Sequence, residues 1–311
     1  MATQNSGQTN PIIFFGTEDF SAASLQALID ADFTIAAVVT KKDSKKGRGR
    51  TLIPPIVKTI ALKHNIPVWQ PDTLGEITES ITTLQPVTGV LVSFGKIIPQ
   101  STIDLFTPGI INVHPSRLPR YRGPSPIESA ILNGDAETGV SIMQLSKAMD
   151  AGPVYHFTPR QLSGTETQTE LYDTLGALGA RTLVSTLPAI LSGDLAPVPQ
   201  DESHATYCAL INKPDGVINW HTPAVHIERA IRAYSGWPGS KTILGGVDVV
   251  ITGAEVVEAP TLHTPGTVEV HGNELTVYAS AGALAITTLK PAGKKEMNVK
   301  EFLNGHRHLF A

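Results

Sequence analysis

The sequence predicts an α/β protein with a doubly wound, mostly parallel sheet, followed by a smaller domain made mainly of β-strands. Short apolar runs of strand length alternate with helix-like segments through the N-terminal part of the chain, a pattern typical of parallel βαβ units. Short strand-like stretches separated by turns occupy the C-terminal part, which favours a small barrel or sandwich there. With 311 residues the chain exceeds the usual length of one domain, so two domains are expected.

The first strand and helix illustrate how the N-terminal elements are predicted. An apolar run from Ile12 to Phe15 enters a tight turn at Gly16, and Glu18 or Asp19 then provides an acidic helix start. This turn lacks the further glycines of a dinucleotide-binding fingerprint, so NAD or FAD is not expected. The predicted strands are residues 12–17, 33–39, 67–69, 89–93, 109–114, 140–145 and 154–158, and the predicted helices are 21–29, 56–64 and 166–191, the last as one or two helices.

A stretch with Gly, Pro and Asp marks the expected domain boundary. We expect a catalytic domain over residues 1–191, a linker over 192–205 and a C-terminal domain over 206–311. In the C-terminal domain the predicted helices are 224–233 and 299–303, and the predicted strands are 247–251, 266–270, 274–278 and 283–289.

Composition and charge narrow the class of protein. A hydrophobic content of 41%, with 17% charged residues, is typical of a soluble globular protein, and a net charge of −4 does not indicate general nucleic-acid binding. The single cysteine, Cys208, excludes an intramolecular disulfide and fits a reducing compartment. Residues 1–10 do not resemble a signal peptide, and the longest apolar runs are too short to span a membrane. A cytoplasmic protein with no membrane segment is therefore expected.

Three polar residues form the strongest candidate for a catalytic site. Asn112 and His114 alternate along the predicted strand 109–114, so both side chains point the same way at its carboxyl end, where open α/β sheets bind ligands. Asp150 follows in an Asp-x-Gly turn. An amide, an imidazole and a carboxylate can move an acyl unit onto an amine without a covalent enzyme intermediate. The bare Asn-x-His pair also occurs by chance, as a turn-forming Asn beside an ordinary His; the Arg-rich, Pro-rich loop that follows favours a site.

Residues 41–50 form a strongly basic segment. They contain six positive side chains and one negative side chain, a local net charge of +5. Two glycines and the lack of apolar residues predict a mobile loop, which follows a strand and so stands at the carboxyl edge of the sheet. It could bind a phosphate backbone in a salt-dependent way, or be only a solvated loop. The positive residues are Lys41, Lys42, Lys45, Lys46, Arg48 and Arg50.

Motifs spread over essentially the whole chain carry a family resemblance. They are Phe-Gly-Thr at 15–17, Gly-Arg-Gly at 47–49, Asn-Val-His at 112–114, Leu-Pro-Arg-Tyr-Arg-Gly at 118–123, Asp-Ala-Gly at 150–152, Trp-Pro at 237–238 and Pro-Ala-Gly-Lys-Lys at 291–295. In this order and spacing they closely resemble the methionyl-tRNA formyltransferase family. The resemblance implies a Rossmann-like catalytic domain, a C-terminal OB-like β-barrel domain, and formyl transfer from 10-formyltetrahydrofolate to the methionine amine of initiator methionyl-tRNA.

The resemblance also implies roles for individual residues. Asn112, His114 and Asp150 match the catalytic trio of the family, and the basic segment matches an insertion that contacts the tRNA acceptor end, with Arg48 as the arginine expected to function there. A monomer that binds tRNA and folate, with no metal, is expected. The rival functions are a formyltransferase acting on a sugar nucleotide or other small amine, a formyl-folate hydrolase, and a non-catalytic RNA-binding protein. The residues matching the folate-binding loop are Ser116, Arg117, Leu118 and Pro119, with Arg117 in place of the usual leucine.

Overall fold

The computed structural model describes residues 10–46, 51–259 and 263–310. The chain forms two compact units, and the catalytic, linker and C-terminal ranges expected from the sequence remain predictions beside them. The first unit comprises the described residues of Met1–Gly123, Thr138–Arg160 and Tyr172–Tyr207. The second comprises the described residues of Pro124–Glu137, Gln161–Leu171 and Cys208–Ala311.

The first unit is built on a seven-stranded sheet in the order β5-β2-β1-β6-β7-β8-β9. The strands from β5 to β7 are parallel, and β8 runs antiparallel to β7. The strand order reverses between β1 and β6, and a doubly wound sheet binds ligands beside such a reversal. The elements in chain order are β1 (Ile12–Gly16), α1 (Asp19–Asp30), β2 (Ile35–Val39), β3 (Ser44–Lys46), β4 (Thr51–Ile53), α2 (Ile56–Lys63), β5 (Val68–Trp69), α3 (Thr78–Thr82), β6 (Thr88–Val92), α4 (Gln100–Ile103), β7 (Ile110–His114), α5 (Pro126–Asn133, in the second unit), β8 (Glu137–Gln144), β9 (Val154–Gln161) and α6 (Gln168–Ser192).

Apolar packing holds the central strands of this sheet in place. All five residues of β1 and all five of β7 are buried. Phe15 on β1 makes edge-on ring contacts with Phe94 and Phe106, at centroid distances of 5.5 and 5.7 Å. Such pairs contribute about 0.5–1.5 kcal/mol each beyond the burial of their area. These contacts give the central strands of the first unit a packed apolar core.

The predicted α/β class is confirmed, and the main differences lie in short elements. The basic segment was expected to be a mobile loop, but β3 and β4 pair as an antiparallel hairpin within and just beyond it. Its tip, residues 47–50, lies outside the described residues. Three short helices, α3 to α5, were also not predicted; α3 and α4, with five and four residues, are too short for a helical periodicity to emerge.

Helix α6 has 25 residues and is long and apolar enough to cross a membrane, although the sequence predicted no membrane segment. Half of its most apolar window is buried inside the fold. Leu175, Leu183 and Leu187 are fully buried. A core helix passes the same length and composition test, so the helix is weak evidence for a membrane span.

The second unit contains an antiparallel sheet in the order β10-β11-β14-β13-β12, with β15 paired to β14. The long strand β11 has a register shift at Gly253, which allows it to bend, as strands in small barrels do. Ile231 on α7 and Phe302 on α8 are buried in the same apolar core as this sheet. The antiparallel C-terminal domain is confirmed. Its elements are α7 (Ala224–Ala233), β10 (Ser240–Leu244), β11 (Val247–Val257), β12 (Val268–His271), β13 (Glu274–Tyr278), β14 (Ala283–Pro291), β15 (Met297–Asn298) and α8 (Val299–His306).

Candidate active site

The carboxyl end of β7 presents two of the predicted catalytic side chains. Asn112 and His114 are each only 5% exposed, and they lie on the same face of the strand because side chains alternate. Antiparallel pairing with β8 places Met143 opposite Asn112 and Ser141 opposite His114. Pairing on both sides fixes the position of Asn112. The two side chains thus start from a backbone that has little freedom to move.

His114 is oriented by a backbone carbonyl. Its Nε2 lies 3.0 Å from the carbonyl oxygen of Tyr121, in a buried position. A carbonyl can only accept a hydrogen bond, so Nε2 carries the proton and the lone pair of the neutral ring is on Nδ1. This Nδ1 faces Asp150, 3.7 Å from Oδ2. That distance is too long for a direct hydrogen bond and leaves Nδ1 available to take a proton.

The amide of Asn112 makes no hydrogen bond within the part of the chain that the structure describes. The residue is nevertheless nine-tenths buried. Its amide atoms are not among the buried polar atoms that lack a partner, so they can be reached from solvent. An unpaired donor beside the imidazole is suited to binding an oxygen atom of a ligand.

Asp150 is held in a strained turn. Its φ is +48°, in the left-handed region that costs a non-glycine residue about 1–3 kcal/mol. Its Oδ2 accepts a hydrogen bond of 2.8 Å from the backbone N–H of Gly123. The same oxygen is the one nearest His114. The hydrogen bond keeps the carboxylate directed at the imidazole, although the backbone of the turn is strained.

Gly152 closes this turn and leaves no room for a side chain. A Cβ there would lie 1.9 Å from the carbonyl oxygen of Gln144, a backbone atom that cannot easily move. We expect Gly152→Ala to lower the free energy of unfolding by about 1–3 kcal/mol and to reduce turnover by displacing Asp150. Thermal unfolding and steady-state kinetics measure the two effects. Gly305→Ala is the matched control, because a Cβ at Gly305 in α8 meets nothing within 4 Å; an equal loss in both variants would contradict the steric argument.

The four residues assigned to folate binding lie on one loop but differ in their exposure. Ser116 is fully buried, and its hydroxyl donates to the carbonyl of Arg120 at 2.6 Å, so it shapes the loop from inside. Arg117 is exposed and stacks over the ring of Phe157, with its guanidinium carbon 5.2 Å from the ring centroid. Leu118 and Pro119 are half-buried. The surface of this loop that meets solvent is therefore formed by Arg117 and the two residues after it.

Arg122, in the Arg-rich loop that follows β7, is 1% exposed and hydrogen-bonded inside the unit. It binds both carboxylate oxygens of Glu202, at 2.9 and 2.7 Å, and the hydroxyl of Tyr207 at 3.1 Å. The hydrogen bonds to Glu202 raise the pKa of the Arg122 guanidinium above its ordinary value, and Arg122 lowers the pKa of Glu202. This pair therefore stabilises the native state at neutral pH, and the stabilisation is lost as pH falls through the lowered pKa of Glu202.

The basic segment begins directly after the carboxyl end of β2. Because β2 is parallel to β1, β6 and β7, this is the edge of the sheet at which β7 presents His114. Lys42 is exposed and pairs with Asp72 at 2.6 Å, and Lys45 on β3 is exposed. Lys41 is half-buried. The predicted residues outside the described part are Arg48, Arg50 and the side chain of Lys46.

No group of three or more His, Cys, Asp or Glu side chains that could hold a metal ion occurs in residues 10–46, 51–259 and 263–310. Tyr121 and Arg122 are the residues whose roles the sequence did not reveal. A backbone carbonyl has no sequence signature, and the partners of Arg122 lie about eighty residues further along the chain.

Comparison with known families assigns both parts of the chain. A family described as Formyl transferase matches residues 10–187, and one described as Formyl transferase, C-terminal domain, matches residues 210–307. Curated relatives are similar over nearly the whole length. The methionyl-tRNA formyltransferase of Trichlorobacter lovleyi is 40% identical, over 95% of this chain and 94% of its own length. That of Chloroflexus aurantiacus is 40% identical, over 94% of this chain and 96% of its own length.

Solved structures share the fold at lower identity. HypX from Aquifex aeolicus, in complex with tetrahydrofolic acid, aligns with a TM-score of 0.61 at 17% identity, covering 95% of this chain and 47% of that one. An N-formyltransferase from Helicobacter canadensis aligns with a TM-score of 0.66 at 18% identity, covering 88% of this chain and 98% of that one. At these identities the likeness supports the fold alone. By the two matched families and the 40% identity of the curated relatives, the chain belongs to the methionyl-tRNA formyltransferase family.

Proposed function

We propose that this protein transfers a formyl group from 10-formyltetrahydrofolate to the α-amino group of methionine on initiator methionyl-tRNA. The observation that carries the proposal is the buried arrangement at the end of β7. There, an unpaired amide (Asn112) lies beside an imidazole (His114) whose Nδ1 faces a carboxylate (Asp150). Membership of the family supplies the donor and the acceptor.

Asn112 stabilises the charge that develops on the formyl oxygen. When the amine attacks the formyl carbon, that oxygen gains negative charge in a tetrahedral intermediate. The side-chain N–H of Asn112, on a residue that is 5% exposed, is the donor available to it. A single donor of this kind contributes about 3 kcal/mol to the stability of the transition state.

His114 moves the proton. The new C–N bond leaves the attacking nitrogen positively charged, and Nδ1 of the neutral ring accepts its proton. His114 then donates this proton to the folate nitrogen as the bond from that nitrogen to the formyl carbon breaks. Asp150, 3.7 Å away, stabilises the imidazolium formed between the two steps. The Tyr121 carbonyl accepts a hydrogen bond from Nε2 throughout, so Nε2 keeps its proton. Nδ1 is therefore the ring nitrogen that takes up and releases the transferred proton.

An acceptor of tRNA size accounts for features that a small acceptor does not need. The basic segment follows β2 at the carboxyl edge of the sheet, and the C-terminal domain belongs to the same enzyme family. The cytoplasm is the compartment in which this acceptor is used. The rival acceptors, an amino sugar linked to a nucleotide and water, need only the formyl-handling residues.

One assay separates these acceptors. The purified protein is given 10-formyltetrahydrofolate with methionyl-tRNA, a nucleotide-linked amino sugar, or no acceptor, and formylated product and released tetrahydrofolate are measured. We expect product with methionyl-tRNA alone. Formylation of the amino sugar at a higher kcat/KM, or folate release that does not depend on acceptor, would replace the proposal with the corresponding rival.

The basic segment gives a second prediction, about tRNA binding. We expect Lys45→Ala and Arg48→Ala each to raise KM for methionyl-tRNA severalfold and to reduce the salt dependence of log(kcat/KM) by about one charge. KM for the folate should stay the same. Lys63→Ala is the matched control: it removes the same charge at the C-terminal end of α2, near the opposite edge of the sheet. An unchanged salt dependence in both test variants would mean that the segment is only solvated.

Folate binding by Ser116, Arg117, Leu118 and Pro119 stays a proposal. The exposed guanidinium of Arg117 over Phe157 provides a flat polar surface where the family usually has leucine. Arg117→Leu tests it: a change in KM for folate, with kcat unaltered, would assign the side chain to the folate site. The monomeric state is likewise a prediction, which sedimentation of the free protein can test.

A further inference from the structure

We infer that Gln200 is a positioning residue for the proposed formyl transfer, and that it acts by holding Asp150 in place from the segment that the sequence marks as a linker. We call residues 200–207 the strap. The inference rests on the proposed function, since it concerns how that reaction's carboxylate is kept in position. It adds a residue that neither the motif pattern nor the family match assigns.

The amide of Gln200 bridges two parts of the site. Its Nε2 donates to the carbonyl oxygens of Asp150 and Gly152, at 2.8 and 2.7 Å. Its Oε1 accepts from Nε and Nη2 of Arg122, at 3.0 and 2.9 Å. Both N–H groups and both acceptor positions of the amide are thus used, which fixes its orientation. The turn carrying Asp150 is held by this one side chain on both sides of Ala151.

Arg122 makes the bridge rigid. Its contacts with Gln200, Glu202 and Tyr207 match the five N–H groups of a guanidinium, and it is 1% exposed. The strap also pairs with the loop that carries Arg122. Thr206 donates its N–H to the carbonyl of Pro119 at 3.1 Å and accepts from the N–H of Arg122 at 2.9 Å. Gln200 is therefore held in place by Arg122, and it can fix the position of the turn that carries Asp150.

Asp150 needs such support because its own backbone works against its position. At φ +48° the residue is strained, and a turn of this kind relaxes unless its surroundings hold it. Relaxation would move the carboxylate away from both Gly123 and His114, which lie 2.8 and 3.7 Å from the same oxygen. A displacement of about 1 Å in a catalytic group can cost a hundredfold in rate.

Two variants of Gln200 test the inference. Gln200→Met keeps the length of the side chain and removes all four hydrogen bonds. Gln200→Glu keeps an acceptor for Arg122 but places an oxygen against the carbonyls of Asp150 and Gly152. We expect both to lower kcat by about tenfold to a hundredfold, with KM for tRNA and folate within about twofold of the wild-type value. Ser203→Ala is the matched control on the strap, because Ser203 is exposed and hydrogen-bonds to neither Arg122 nor Asp150.

Two further readouts distinguish positioning from general destabilisation. In the Asp150→Asn background, Gln200→Met should lower kcat by less than about twofold. A residue that acts only by positioning the Asp150 carboxylate cannot lower kcat much further once that carboxylate has been removed. In the absence of substrates, the amide proton of Gly123, which donates to Asp150, should exchange at least about tenfold faster in Gln200→Met. The inference would be overturned if the kcat losses of Gln200→Met and Asp150→Asn multiply in the double variant. It would also be overturned if the Gly123 amide proton of Gln200→Met exchanges at the wild-type rate. The exchange measurement needs no acceptor, so it still decides the matter if the wild-type protein does not formylate methionyl-tRNA.

Discussion

His114→Ala is expected to lower kcat for formyl transfer by about a thousandfold, since it removes the group that carries the proton from the amine to the leaving nitrogen. KM for both substrates should change little, because His114 is 5% exposed and is proposed to contact the reacting atoms only. A single-turnover experiment, in which the acid-stable formylated product is quantified over time, measures the chemical step directly.

The structure supplies a variant that separates chemistry from packing. In His114→Gln the amide can still donate to the Tyr121 carbonyl, which would otherwise be left without its 3.0 Å partner, but it cannot act as a base. We expect His114→Gln to melt near the wild-type temperature and to be as slow as His114→Ala. The matched control is His156→Ala, at an exposed histidine on β9. Turnover within about tenfold of the wild type in both His114 variants would exclude the proposed base.

Asp150→Asn is expected to lower kcat by about a hundredfold or more, because the imidazolium loses the charge that stabilises it. Asparagine is the suitable replacement, since it tolerates the left-handed backbone and its side-chain oxygen can still accept from Gly123. The fold should therefore survive, and the loss should appear in kcat rather than in thermal stability.

Asp150→Ala tests how much the left-handed backbone at residue 150 matters when the side chain is lost. Alanine at φ +48° keeps the strain and leaves the Gly123 N–H without its 2.8 Å partner, so we expect it to be slower and also less stable than Asp150→Asn. Kinetics and thermal unfolding of the two variants check the order. If Asp150→Asn retained most of its activity, the carboxylate would be structural, and His114 would act without a charged partner.

The sequence predicted the elements whose signal is local. Residues 110–114 form a buried strand because an apolar run is bounded by Pro108 and Pro115, and alternation alone placed Asn112 and His114 on one face. The sequence did not predict the hairpin β3–β4, because Thr51, Leu52 and Ile53 are all exposed and show no alternation of buried and exposed positions. Short exposed strands are fixed by their pairing, and pairing is not visible in either strand taken separately.

The residues of the candidate site are a prediction from the sequence, and their contacts were not visible in it. The ring of His114 is oriented by the Tyr121 carbonyl and faces Asp150 across 3.7 Å, and the sequence shows neither contact. Gln200 and Glu202 lie in a polar stretch that indicates a linker and nothing more. Their importance depends on Arg122, 78 and 80 residues earlier in the chain, and no local pattern records a partner so distant.

The strap has a consequence for how such enzymes can be recombined. Gln200, Glu202 and Tyr207 all contact Arg122, so the last residues before the C-terminal unit are chemically part of the catalytic one. A chimera in which a foreign sequence replaces this chain from residue 192 onward would lose those contacts. A chimera with its junction after Tyr207 would keep them. During synthesis, too, the nascent chain cannot complete its catalytic centre until the strap has left the ribosome.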